Sequence, residues 1–185
     1  MNILIDKLPK EHDGLEVNTD FRSFILFELL MQEKDIPNNQ KIITALNLFY
    51  ERIPVNIEKA IKTILWFYTL GKEDKRKKTK KNKETKKQIY SFEHDADLIY
   101  SAFLDQYGID LNEIEYLHWW KFRTLFYGLK QENKICEIMG YRAIDVSKIK
   151  DKEERKRYIK LQNQYALPDN RSEEEKEQEF ADAFW

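Results

Sequence analysis

Residues 114 to 129 place apolar side chains around well over half the circumference of the helix that their spacing predicts. They are Ile114, Tyr116, Trp119, Trp120, Phe122, Leu125, Phe126, Tyr127 and Leu129. An ordinary surface helix needs an apolar stripe only about 100° wide or somewhat wider. Such a segment must therefore lie at the centre of a helical fold or share one side with a partner. Asn112-Glu113-Ile114-Glu115 has the form of a capping box, with Glu115 at N3, so the helix is expected from there to Leu129.

The rest of the chain supplies a fold around that segment. Asp13-Gly14 is a favoured hairpin turn, and it lies between an alternating run from Asn2 to Leu8 and Leu15-Glu16-Val17. A short β-hairpin is expected there. Thr19 and Asp20 offer caps to a helix from Phe21 to about Glu33. Ile42, Ala45, Leu46 and Phe49 recur at helical spacing, and Pro54 ends that helix. Asn56 can cap a third, carrying Ile57, Ala60, Ile61, Ile64, Leu65 and Tyr68 and stopping at Gly71 as a C′ residue. A fourth is expected from about Glu93 to Tyr107, closed by Gly108. A short one follows from Glu132 to Met139, ended by Gly140. Asp151-Lys152-Glu153-Glu154 opens a polar helix toward Tyr165. Ser172 begins a last acidic helix within 169–185. The fold class is mainly α, one multi-helix domain over residues 1–185 with a short N-terminal hairpin.

Charge is distributed in blocks. Lys72 to Lys87 holds ten basic and three acidic side chains and nothing apolar, so a solvated, mobile loop is expected. Asp169 to Trp185 holds seven acids against two bases. The basic run lacks the interleaved aromatics of a base-stacking surface, so nucleic acid is not expected as a partner. The single cysteine, Cys136, permits no internal disulfide and fits a reducing compartment. No signal peptide and no apolar run near the ~20 residues of a membrane span is visible, which points to the cytoplasm and away from a membrane.

Chemistry-bearing constellations are sparse. Glu115-Tyr116-Leu117-His118 matches the Glu-x-x-His spacing of di-iron bundles, but such a site needs a second copy and further carboxylates. A packed or interface histidine is the expected role of His118. Glu93-His94-Asp95-Ala96-Asp97 is an acid cluster where a helix begins, a position that the helix dipole favours for structural reasons. No glycine-rich phosphate loop is present, and Cys136 has no CxxC partner. No catalytic set, cofactor or metal is expected, and the protein is not read as an enzyme.

Several blocks resemble the bacteriophage gene-product-fifteen family. They include Asn18-Thr19-Asp20-Phe21-Arg22, Leu65-Trp66-Phe67-Tyr68, Tyr90-Ser91-Phe92-Glu93 and Asp95-Ala96-Asp97-Leu98-Ile99-Tyr100-Ser101-Ala102-Phe103. More specific are Leu117-His118-Trp119-Trp120-Lys121-Phe122, Ile138-Met139-Gly140-Tyr141-Arg142 and Tyr165-Ala166-Leu167-Pro168-Asp169-Asn170. The resemblance spans nearly the whole chain. It implies a tail-module protein of phages of Gram-positive hosts, acting in the host cytoplasm as a chaperone for the tape-measure protein alongside other tail-assembly proteins. A structural virion subunit, in the tail or connector, is the alternative it leaves open, and a nucleic-acid-binding module using the basic run is a third. Oligomeric state is not fixed by these residues. The candidate partner surface is Tyr116, Trp119, Trp120, Phe126 and Tyr127 on the fifth helix, with Trp66 and Phe67 on the third.

Overall fold

A computed structural model describes residues 3–72 and 88–168. The expected basic loop, from residue 73 onward, and the expected acidic helix lie outside the described residues. Two short antiparallel strands, β1 (Glu11–His12) and β2 (Leu15–Glu16), precede seven α-helices among those residues. The helices are α1 (Phe21–Gln32), α2 (Asn38–Phe49), α3 (Ile57–Tyr68), α4 (Ala96–Tyr107), α5 (Trp119–Tyr127), α6 (Lys134–Ala143) and α7 (Lys152–Gln164). The mainly-α expectation holds. The hairpin turn is also where it was expected, with Asp13 and Gly14 both at positive φ, 51° and 72°. Its first strand is not: residues 3–6 form turns, and Glu11–His12 pairs instead, with His12 opposite Leu15.

Helix starts follow the caps. The Asp20 carboxylate accepts from the Arg22 amide, Asn56 from Lys59, and Asp151 from Glu154. α4 ends at Gly108 in the left-handed conformation. It starts later than expected, at Ala96, because residues 91–95 form a tight turn. There the Ser91 hydroxyl accepts from the amides of Glu93 and His94. α6 runs past Gly140 to Ala143, so that glycine is interior and not terminal.

The largest departure is at the fifth helix. The expected box at Asn112 does not form, because Asp110 intercepts it. Its carboxylate accepts the amides of Asn112 and Glu113, and the chain makes a single turn there. Glu115 is exposed and outside any helix. Residues 117–119 run extended beside 19–21, with the Phe21 amide donating to Leu117 O at 2.9 Å and the Trp119 amide to Thr19 O at 2.8 Å. Arg22 fastens the turn by donating to the carbonyls of Leu111 and Ile114. The helix therefore begins only at Trp119.

α5 lies at the centre. Phe122 stacks on Phe21, Phe103 and Trp119, and Trp119 stacks on Phe24 at 5.0 Å between ring centroids. α1, α3 and α4 pack against it, α2 packs on α1 and α3, and α6 packs on α4. α7 packs on α6, and it alone among the described α-helices buries no side chain. Its C-terminal half is held by polar groups instead. The Gln162 amide donates to the carbonyls of Tyr141 and Ile144, the Arg142 guanidinium donates to Tyr165 O, and Tyr165 stacks on Tyr141.

Candidate functional site

The double tryptophan is positioned by the end of α3. That helix closes with a Schellman motif: the Gly71 amide donates to Trp66 O and the Leu70 amide to Phe67 O. Gly71 thus sits one place beyond the expected C′ position, which Leu70 fills at φ 61°. The Trp120 indole donates to Phe67 O at 2.7 Å, and the Trp119 indole to Tyr68 O at 3.3 Å. Lys72 donates to Thr69 O. Each of the last four carbonyls of the helix end, normally left to solvent, therefore has a partner. Adjacent residues on a helix point about 100° apart, so the pair spans two neighbouring carbonyls. A Cβ on Gly71 would lie 3.0 Å from Trp120 Cη2 and 3.1 Å from Trp66 Cζ2, so packing as well as conformation requires glycine there.

This arrangement divides the candidate partner surface. Trp119, Trp120, Phe126 and Phe67 are core residues, between 0% and 5% exposed, and present no surface to a partner. Trp66 is half-buried, with His12 stacked face to face on its indole at 3.9 Å. Tyr116 and Tyr127 remain, 45% and 60% exposed. The Tyr116 hydroxyl is tied to Thr19 at 2.7 Å. The Arg123 guanidinium lies over the rings of Trp119 and Tyr127 and donates to the Tyr127 hydroxyl. Beside it, Tyr68 donates to Glu28, whose carboxyl is held above its ordinary range by burial.

His118 is buried and caps α5. Its Nδ1 accepts from the Trp120 amide at 3.0 Å, so Nδ1 is unprotonated, and Nε2 donates to Pro9 O at 2.8 Å. Both ring nitrogens are occupied in one neutral tautomer, which leaves no lone pair for a metal. Burial, and then the charge of Lys10, lower its pKa, while the Pro9 carbonyl opposes them. The unfolded chain takes up this proton near pH ~6.5, and the folded chain does so only at lower pH. The stabilisation is therefore complete above about pH 6.5 and is lost as pH falls through that value toward the folded pKa. We expect wild type to lose more stability than His118→Asn between pH 7.5 and 5 in urea melts, since asparagine keeps a cap acceptor without titrating. Parallel losses would show that His118 does not titrate in this window.

The acid cluster of the sequence resolves into a structural pair. Asp95 faces Arg142 from α6 in a bidentate ion pair, with contacts of 2.6 and 3.0 Å, and both residues are buried. His94 and Glu93 stay at the surface. The arginine also donates to Ile89 O and Tyr165 O, and Asp95 accepts from the Ser91 amide. Sequence reasoning missed this clamp. The available signal was Arg142 sharing a helix face with Ile135 and Ile138, all three buried. Burial raises the pKa of the Cys136 thiol, which is the opposite of an activated nucleophile. Among the described residues no His, Cys, Asp or Glu side chains cluster in a metal-binding arrangement, and no helix is long and apolar enough to cross a membrane.

The blocks singled out in the sequence meet in space: 18–22 joins 117–119, 65–68 joins the tryptophan pair, and 91–95 joins Arg142 and Tyr165. No curated protein and no solved structure shows a significant match. The sequence model of the family described as Bacteriophage Gp15 protein matches residues 4–167. With the match covering most of its length, the chain belongs to the Bacteriophage Gp15 protein family.

Proposed function

We propose that this bacteriophage protein acts in tail assembly in the host cytoplasm, as a chaperone that covers an apolar helix of the tape-measure protein. Family membership supplies the context. The observation that carries the reading is an apolar flank on α3 that the described residues leave partly exposed. Ile57, Ile61 and Leu65 follow one another at i, i+4 spacing beside the core-facing Ala60, Ile64 and Phe67. Ile57 and Leu65 are 40% and 44% exposed, and Ile53 and Val55, also exposed, lead into the same end of the helix. A row of this kind suits an amphipathic partner helix laid alongside. Charged neighbours such as the exposed Glu58–Lys62 pair keep its rim hydrated.

The test is co-expression with the tape-measure protein of the same phage. Wild type is expected to hold that protein in the soluble fraction. Ile57→Glu with Leu65→Glu, at exposed positions, is expected to keep the urea midpoint and weaken the complex about tenfold or more. Equal recovery with a folded double variant would place the contact elsewhere. Stoichiometric protein in purified particles, with no tape-measure complex in lysate, would favour a structural tail or connector subunit instead.

A further inference from the structure

A shallow pocket of about 240 Å³ opens where the segment entering the hairpin passes the start of α5. Leu8, Tyr116 and Leu117 give it apolar walls, and Lys10 and Lys121 stand at it with the neutral ring of His118. Among the described residues no carboxylate lines it. Glu115 and Glu11 adjoin lining residues in sequence but are not part of the wall. Asp20, close by, is engaged by the Leu117 amide and Arg22. The Lys10 ammonium lies 5.8 Å over the Tyr116 ring, and the Tyr116 hydroxyl is held by Thr19. The ring is therefore fixed as a wall, with one face covered, and does not offer a free stacking platform. Among the described residues the two cations have no anionic partner within the pocket.

We infer that this pocket receives one large apolar side chain of a partner protein segment whose flanking residues are acidic. The volume suits a single leucine or phenylalanine side chain, not a free-standing ligand, since small-molecule sites are about 300 Å³ or more. The two lysines supply the charge selection, rejecting a basic segment and orienting an acidic one. This site is separate from the α3 flank and does not depend on the identity of the tape-measure protein as partner.

The probes are three short peptides, acetyl-Glu-Phe-Glu-amide, acetyl-Gln-Phe-Gln-amide and acetyl-Lys-Phe-Lys-amide, and an oligothymidylate. Each is titrated into the isotope-labelled full chain by NMR. The glutamate peptide is expected to shift the amides of Lys10, Leu117, His118 and Lys121 and to bind about tenfold more tightly than the lysine peptide at low salt. Lys10→Glu with Lys121→Glu, both at exposed positions, is expected to reverse that order. Equal binding of the three peptides, shifts confined to other residues, or no shift at millimolar peptide would overturn the inference. Stronger shifts of the same amides by the oligothymidylate would do so too, and would assign the pocket to nucleic acid.

Discussion

Arg142→Ala is expected to lower the unfolding free energy by about 3–5 kcal/mol, the cost of leaving a buried charge without its partner. Arg142 is 6% exposed and Asp95 is 3% exposed, so water can replace little of what is lost. Removing the arginine strands the carboxylate and the carbonyls of Ile89 and Tyr165 together. Arg142→Lys keeps the charge but not the planar fork, and is expected to recover only part of the loss. Replacing both partners, as Arg142→Met with Asp95→Leu, should cost less than Arg142→Ala alone, because no unpaired charge remains. Urea titrations of the three variants decide this. A loss under about 1 kcal/mol for Arg142→Ala would mean that the pair is solvated in practice.

The second large effect concerns the tryptophans. Trp119→Ala is expected to cost about 3–5 kcal/mol, since the ring is fully buried and stacks on both Phe24 and Phe122. Trp120→Phe is the finer probe. It keeps an aromatic ring near Gly71 and Trp66 but removes the indole donor to Phe67 O, a change expected to cost about 1 kcal/mol together with some packing loss. Amides near residues 66–72 should exchange faster in that variant. If Trp119→Ala stays within about 1 kcal/mol of wild type, the aromatic stack is not the centre of the core. Either substitution reports on folding before it reports on any partner, so exposed positions such as Leu65 and Tyr127 are the ones suited to mapping contacts.

What could be read from the sequence was local. Asp20, Asn56 and Asp151 cap helices, and Gly108 ends one, because each acts on amides or dihedrals within a few residues. The Asp13-Gly14 turn was legible for the same reason. The capping box at Asn112 was an equally good local pattern, yet it lost to long-range bonds. Arg22 and the 19–21 segment hold residues 111–119 in place from nearly a hundred positions away. The breadth of the apolar face on the fifth helix correctly marked it as central or shared. The sequence alone could not choose between these, because a tryptophan buried under α3 and one facing a partner leave the same pattern. His118 and Asp95 carried polar signals that resemble ligands. Their partners, Pro9 O and Arg142, lie 109 and 47 positions away, and only the fold brings them together.

α7 has its own consequence. A helix of 13 residues with no buried side chain is marginal by itself in water. It is held to α6 by polar bonds, from Gln162 and Arg142 to backbone carbonyls, and by Tyr158 and Tyr165 against the Tyr141 ring. At roughly 1 kcal/mol for each polar bond, its release is expected to cost less than the 5–15 kcal/mol of a whole domain. The molecule therefore has two tiers of order. The aromatic interior is expected to unfold as a unit, and the last described helix to open at lower cost. Hydrogen exchange is expected to show the amides of 152–164 opening before those of α5, and that opening also frees the Arg142 donor from Tyr165 O.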